Sequence, residues 1–126
     1  MAKLLLDTHL VLWWIGGDVY LPEAVVSQVL AKNASAFVSQ ISLWEMAVKV
    51  KLGKLNLPVP LQKMEQEVVR QGFHWLQLQN SHILALEKLE RYKEHKDPFD
   101  RLLVAQSRTE SMKFLTSDKV FRDLWG

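Results

Sequence analysis

Cysteine is absent from this chain, which excludes both a disulfide framework and a thiolate metal site. Also missing is a hydrophobic run of membrane length. The longest unbroken apolar stretch, residues 10–15, falls far short of the ~20 residues that a bilayer-crossing helix needs. The N-terminus has an apolar start, but Asp7 and His9 interrupt it before a secretion-signal core can form. There is no internal repeat, low-complexity tract or linker. The glycine pair Gly16-Gly17 belongs to no phosphate-binding loop. The four histidines, His9, His74, His82 and His95, share no ligand spacing such as H-x-x-x-H, and His9 is the one best placed to support a site from behind. These absences predict a soluble, cytoplasmic chain with no membrane segment, folded as one domain over residues 1–126.

Strong charge of one sign is lacking as well, since the net charge is only +2. The basic residues are nevertheless grouped: Lys49, Lys51 and Lys54 in one set, Lys88, Arg91, Lys93, Lys96 and Arg101 in another. Such groups are either solvated helix faces or an electrostatic track for nucleic acid, and charge alone does not separate the two.

What is present begins with Lys3-Leu4-Leu5-Leu6-Asp7-Thr8-His9. Three consecutive leucines read as a short strand buried on both faces, as at the centre of a parallel sheet. Asp7 follows where the strand should end. A carboxylate there is costly unless something uses it, and ligands of open α/β sheets bind outside the carboxyl ends of the strands.

The rest of the chain alternates helices and strands. Residues 8–15 read as a helix ended by Gly16-Gly17, and Pro22 opens a second helix with Val25, Val26, Val29 and Leu30 on one face. A strand is expected over 35–40, then a helix opened by Ser42 in which Leu43, Met46, Ala47 and Val50 recur at helical spacing. A helix over 61–71, a strand over 74–78 and a helix capped by Asn80 come next, running into the charged residues 91–96. Pro98 restarts a helix carrying Phe99, Leu102 and Leu103, residues 113–116 form a fourth strand, and 119–125 make a last turn or extended piece. Trp13, Trp14 and Trp44 read mainly as core, although the adjacency of Trp13 and Trp14 leaves one of them for a surface that a partner helix could cover. Alternation of this kind means an α/β fold with a mainly parallel sheet.

Five acids fall at element ends: Asp7 after the first strand, Glu45 in the first turn after the second, Asp97 and Asp100 around Pro98, and Asp118 after the fourth. In a parallel sheet these places share the carboxyl edge. Most of them also have a local explanation. Ser42-Leu43-Trp44-Glu45 matches a capping box, Asp97 is a good N-cap, Asp100 favours the helix dipole, and Asp118 suits a turn. Asp7, at the end of a strand, has no such explanation. Two carboxylates about 5 Å apart repel by roughly 3 kcal/mol at an effective dielectric of about 20, so several together call for a counter-charge. Mg²⁺ or Mn²⁺ would supply it, and such ions activate water for phosphodiester hydrolysis.

In order and spacing, Leu6-Asp7-Thr8-His9, Ser42-Leu43-Trp44-Glu45-Met46-Ala47-Val48-Lys49, the block from His95 to Gln106 and Leu115-Thr116-Ser117-Asp118 resemble the PIN-domain family. Asp97-Pro98-Phe99-Asp100-Arg101 is similar to a branch of VapC-like toxins of type II toxin–antitoxin pairs. The resemblance implies a three-layer α/β/α domain that cuts RNA with Mg²⁺ or Mn²⁺, and a homodimer held inactive by an antitoxin. It implies metal ligands at Asp7, Glu45, Asp100 and Asp118, with Thr116 orienting the last. Asp100 is preferred to Asp97 as the third acid because Ala105 lies on its helix; Asp97 is then the cap and the alternative ligand. Arg101, Lys49 and Lys51 are candidates for steering RNA, although Lys49 also suits a helical pair with Glu45. The rival within the family is a module that binds RNA or protein without cutting. A phospho-acceptor signalling domain is disfavoured because no middle strand ends in aspartate.

Overall fold

The structure is a computed structural model that describes residues 2–17, 21–90 and 97–116. Strand β1, Ala2–Leu6, runs into helix α1, Thr8–Gly16, through Asp7 alone. Helix α2, Glu23–Val29, and strand β2, Ala34–Ser39, come next, followed by α3, Gln40–Lys51. Then follow α4, Leu61–Arg70, β3, His74–Leu76, and α5, Asn80–Leu84, which passes into a 3₁₀ turn at Ala85–Lys88. Helix α6, Pro98–Thr109, and β4, Lys113–Leu115, complete the described elements.

The four strands form one sheet in the order β3-β2-β1-β4, and every pairing is parallel. β1 is therefore central, as its unbroken leucines require. Its alternation divides the core. Leu4 and Leu6 pack with Leu10, Val11, Met46, Met64 and Val68, whereas Leu5 faces Ile41, Leu102 and Leu103. Helices α1, α2 and α4 thus cover one face and α6 the other, with α3 touching both through Met46 and Ile41. This is the expected three-layer α/β architecture.

Several boundaries differ from those read in the sequence. Helix α3 starts at Gln40, because the Ser39 side chain accepts the Ile41 N–H at 2.9 Å and caps it there. Ser42 is therefore inside the helix, the capping box with Glu45 does not form, and Glu45 lies in the second turn. Helix α5 is capped at Gln79 rather than Asn80, its N–H donating to His82 Nδ1 at 3.0 Å. α1 ends as read, with Gly17 at φ 66° returning its N–H to the last turn. Trp13 and Trp14 are half-buried against the core, whereas Trp44 is 52% exposed and is not core. Among the described residues no helix is long and apolar enough to cross a membrane. Residues 91–96 and 117–126, which include Asp118 and the expected last turn, lie outside the described residues.

Candidate active site

Asp7 is buried between the end of β1 and the first turn of α1. Its Oδ1 accepts the Leu10 N–H at 2.9 Å, making it the N-cap of α1, and Oδ2 accepts the Thr116 hydroxyl. Asp7 therefore has the local structural role that its sequence position did not suggest. Its backbone N–H donates to Leu115 O at 3.0 Å, so β4 brings Thr116 alongside. Burial pushes the Asp7 carboxyl above its ordinary value, against the opposing hydrogen bonds from Thr116 and Leu10.

Glu45, only 1% exposed, points back from α3 toward the same edge. One oxygen accepts the Thr8 hydroxyl at 2.6 Å, and that hydroxyl lies 2.9 Å from the Ser42 hydroxyl. The other oxygen is 2.5 Å from the Lys49 ammonium, one helical turn further on. Lys49 also reaches Asp97 Oδ2 at 3.1 Å, linking α3 to the start of α6. Partial burial alone would lower the Lys49 ammonium, but the hydrogen bonds and charges of Glu45 and Asp97 hold it above its ordinary value.

Asp97 caps α6, its Oδ1 accepting the N–H groups of Phe99 at 2.8 Å and Asp100 at 3.2 Å. Asp100 sits in the first turn of the helix, half-buried. Desolvation, then the charges of Asp97, Glu45 and Asp7, push its carboxyl up to about 7, against the pull of Lys49. Carboxylate oxygens of Glu45, Asp97 and Asp100 lie within 4.8 Å of one another. Oxygen ligands at ~2.1 Å from one ion stand roughly 3–4 Å apart, so small side-chain rotations would bring this set to a hard divalent cation. The donors, all carboxylate, suit Mg²⁺ or Mn²⁺. Asp7 is outside that triple, yet close enough for its charge to act on Asp100.

The remaining expected residues are distributed unevenly. Asp118 lies outside the described residues, and Thr116, expected to orient it, donates to Asp7. Lys51 is exposed on the last turn of α3, and Arg101 donates to the Glu90 carbonyl at 3.1 Å. Lys49, expected to steer RNA, is held inside the acid cluster. His9 is exposed, with its ring against Trp13, and its charge favours ionised Asp7. Two participants were missed in the sequence: Thr8 as the hydroxyl that orients Glu45, and the Lys49–Asp97 link. Thr8 had a signal in its place directly after Asp7. The Lys49–Asp97 link, across 48 residues, had none. Above the cluster Trp44 meets Phe99 edge-on, ring centroids 5.0 Å apart.

Asp7, Glu45, Asp97 and Asp100, drawn from three separate helices, thus gather at the carboxyl edge of a parallel sheet, and the family comparison covers all of them. The family model of the PIN domain matches residues 4–125. The chain belongs to the PIN domain family. No curated protein matches it in sequence. Among solved structures, a chain of VapBC2 from Rickettsia felis, bound to a DNA fragment from their promoter, superposes with a TM-score of 0.67. The match covers 97% of this PIN domain chain and 92% of the other at 16% identity, which is a likeness of fold.

Proposed function

We propose that this PIN domain protein is a divalent-metal-dependent endoribonuclease, the VapC-like toxin of a type II toxin–antitoxin pair. The observation that carries the reading is the approach of Glu45, Asp97 and Asp100 to within 4.8 Å beside buried Asp7. Lys49 sets a single positive charge against these carboxylates, so the group stays net acidic and would repel a polyanionic substrate unless a further cation joined it. Asp7, Glu45 and Asp100 would hold Mg²⁺ or Mn²⁺, with Asp97 as cap and alternative ligand; Asp118 stays in the set on its sequence position and the family resemblance. When bound, the ion supplies a more acidic water and neutralises charge on the phosphoryl oxygens.

The chain's own residues set the geometry. Thr8 fixes one oxygen of Glu45, Leu10 N–H and Thr116 fix Asp7, and the backbone of α6 fixes Asp97. The acids are therefore oriented before any ligand arrives, which reduces the reorganisation needed during reaction. Lys51 and Arg101 remain the candidates for approaching RNA, although Arg101 already spends one N–H on Glu90. A cognate antitoxin is the proposed partner, supported by the fold shared with a VapBC2 chain. A homodimer acting in the cytoplasm completes the proposal.

The test is cleavage of total cellular RNA by purified protein freed of any antitoxin, with Mn²⁺ or with chelator. Discrete products in Mn²⁺ only, abolished in Asp7→Asn and Asp100→Ala and reduced about tenfold or less in Asp97→Ala, are expected. Loss confined to Asp97→Ala would reverse the ligand assignment. No cleavage by folded protein with any divalent ion would leave a binding module.

A further inference from the structure

The acid cluster already contains a cation of its own. Lys49 projects from α3 one turn beyond Glu45, and its ammonium touches Glu45 at 2.5 Å and Asp97 at 3.1 Å. Both contacts belong to the triple of carboxylates that could share a divalent ion. Each of these two acids offers the lysine the oxygen that its fixed partners leave over. Thr8 takes the other oxygen of Glu45, and the α6 backbone takes the other oxygen of Asp97. A divalent ion on the same oxygens would meet the ammonium at near-contact distance, with twice the repulsion of a monovalent one. The lysine side chain is 25% exposed, and its ammonium lies 5.9 Å from the centre of the Phe99 ring. It can therefore leave toward solvent over an aromatic surface that tolerates a cation.

We propose that Lys49 is a tethered competitor of the metal: its ammonium clamps Glu45 to Asp97, and a divalent ion that takes Glu45 as a ligand binds by displacing it. The proposal rests on the reading of these acids as a metal site and adds a reason for the lysine beside them. Its consequence is a site that stays folded at low metal, because α3 and α6 remain bridged, and that binds the ion more weakly than its carboxylates alone would. The exchange is a swing of one side chain, with no bond made or broken.

Calorimetric titration with Mn²⁺ tests it on wild type, Lys49→Gln and Lys49→Arg, with circular dichroism and melting in chelator for each. Lys49→Gln should bind Mn²⁺ about tenfold more tightly while melting at a lower temperature in chelator, and Lys49→Arg, which keeps the charge, should bind no more tightly than wild type. In wild type, the hydrogen-bonded Lys49 ammonium should give its own ¹⁵N–¹H signal in chelator and lose it to the solvent-exposed lysine position on adding Mg²⁺. Equal or weaker Mn²⁺ binding by Lys49→Gln, or an ammonium signal unmoved by a saturating ion, overturns the proposal while leaving a metal-binding wild type as a nuclease candidate. Failure of wild type and both variants to bind any Mn²⁺ overturns the proposal and the metal site together.

Discussion

Asp100 is the acid whose surroundings are least hospitable to charge. Its carboxyl is raised from 3.8 to about 7 by desolvation and by three neighbouring carboxylates. Between those values the folded chain holds a proton that the unfolded chain has released, so stability falls as pH rises across that window. The loss is complete above about pH 7. At about 1.4 kcal/mol per pH unit, and after discounting for solvent reaching a half-buried group, Asp100 should remove about 2 kcal/mol between about pH 5 and pH 8. Asn at this position does not titrate. Urea unfolding in chelator should therefore show a shallower decline for Asp100→Asn than for wild type over the same range; parallel declines would mean that the carboxyl ionises normally.

Among the elements, α5 and α6 are joined by one histidine. His82 is wholly buried; Nδ1 accepts the Gln79 N–H at 3.0 Å and lies 3.2 Å from Gln106 Nε2. With Nδ1 accepting, Nε2 carries the proton and donates to Glu110 Oε2 at 2.7 Å. Three polar groups from three places thus depend on a single ring. His82→Ala should cost about 1–3 kcal/mol, because it leaves buried hydrogen-bonding groups without a partner. The check is the urea midpoint, expected to fall with the slope unchanged. RNA cleavage should persist at temperatures where the variant remains folded, since His82 has no hydrogen bond to Asp7, Glu45, Asp97 or Asp100. The same scale accounts for α3. Both Ser39 and Ser42 can cap a helix, and the pairing of β2 with β3 as far as Ser39 opposite Leu76 leaves Ser39 at the junction. Ser42, one turn in, then faces Thr8.

For the molecule as a whole, everything depends on the central strand. β1 pairs with β2 on one side and β4 on the other, and Leu5, Leu6 and Leu10 are fully buried. Because Leu5 alone of the three β1 leucines belongs to the α6 side, truncating it opens a cavity under the helix that carries Asp100. Leu5→Ala should destabilise the fold by about 2–5 kcal/mol, read from thermal or urea unfolding. It should also weaken RNA cleavage more than a comparably destabilising change on the other face, such as Met64→Ala, because only the first loosens the seat of α6. Equal activities at matched stability would show that the two layers do not share the load on the site.

Much of this was legible along the chain. The leucine run with Asp7 directly after it, the Pro98 helix start and the alternation of elements are local patterns, and each reflects a nearest-neighbour preference for strand, cap or turn. The acids could be assigned to one edge because a parallel sheet puts all strand ends of one kind together. What the sequence could not convey was how those acids are partnered. The Thr116–Asp7, Thr8–Glu45 and Lys49–Asp97 contacts join residues 109, 37 and 48 positions apart. Such distances in sequence close only when β1 takes its place between β2 and β4 and α6 docks beside α3. Trp44 was misread as core because a large aromatic is ordinarily assigned to burial; about 100° round α3 from buried Glu45, it lies half-exposed against Phe99. By itself the sequence determined the fold class and where acids fall along the chain; packing decided which oxygens face each other and that a lysine stands among them, because charge–charge geometry is set by distances in space.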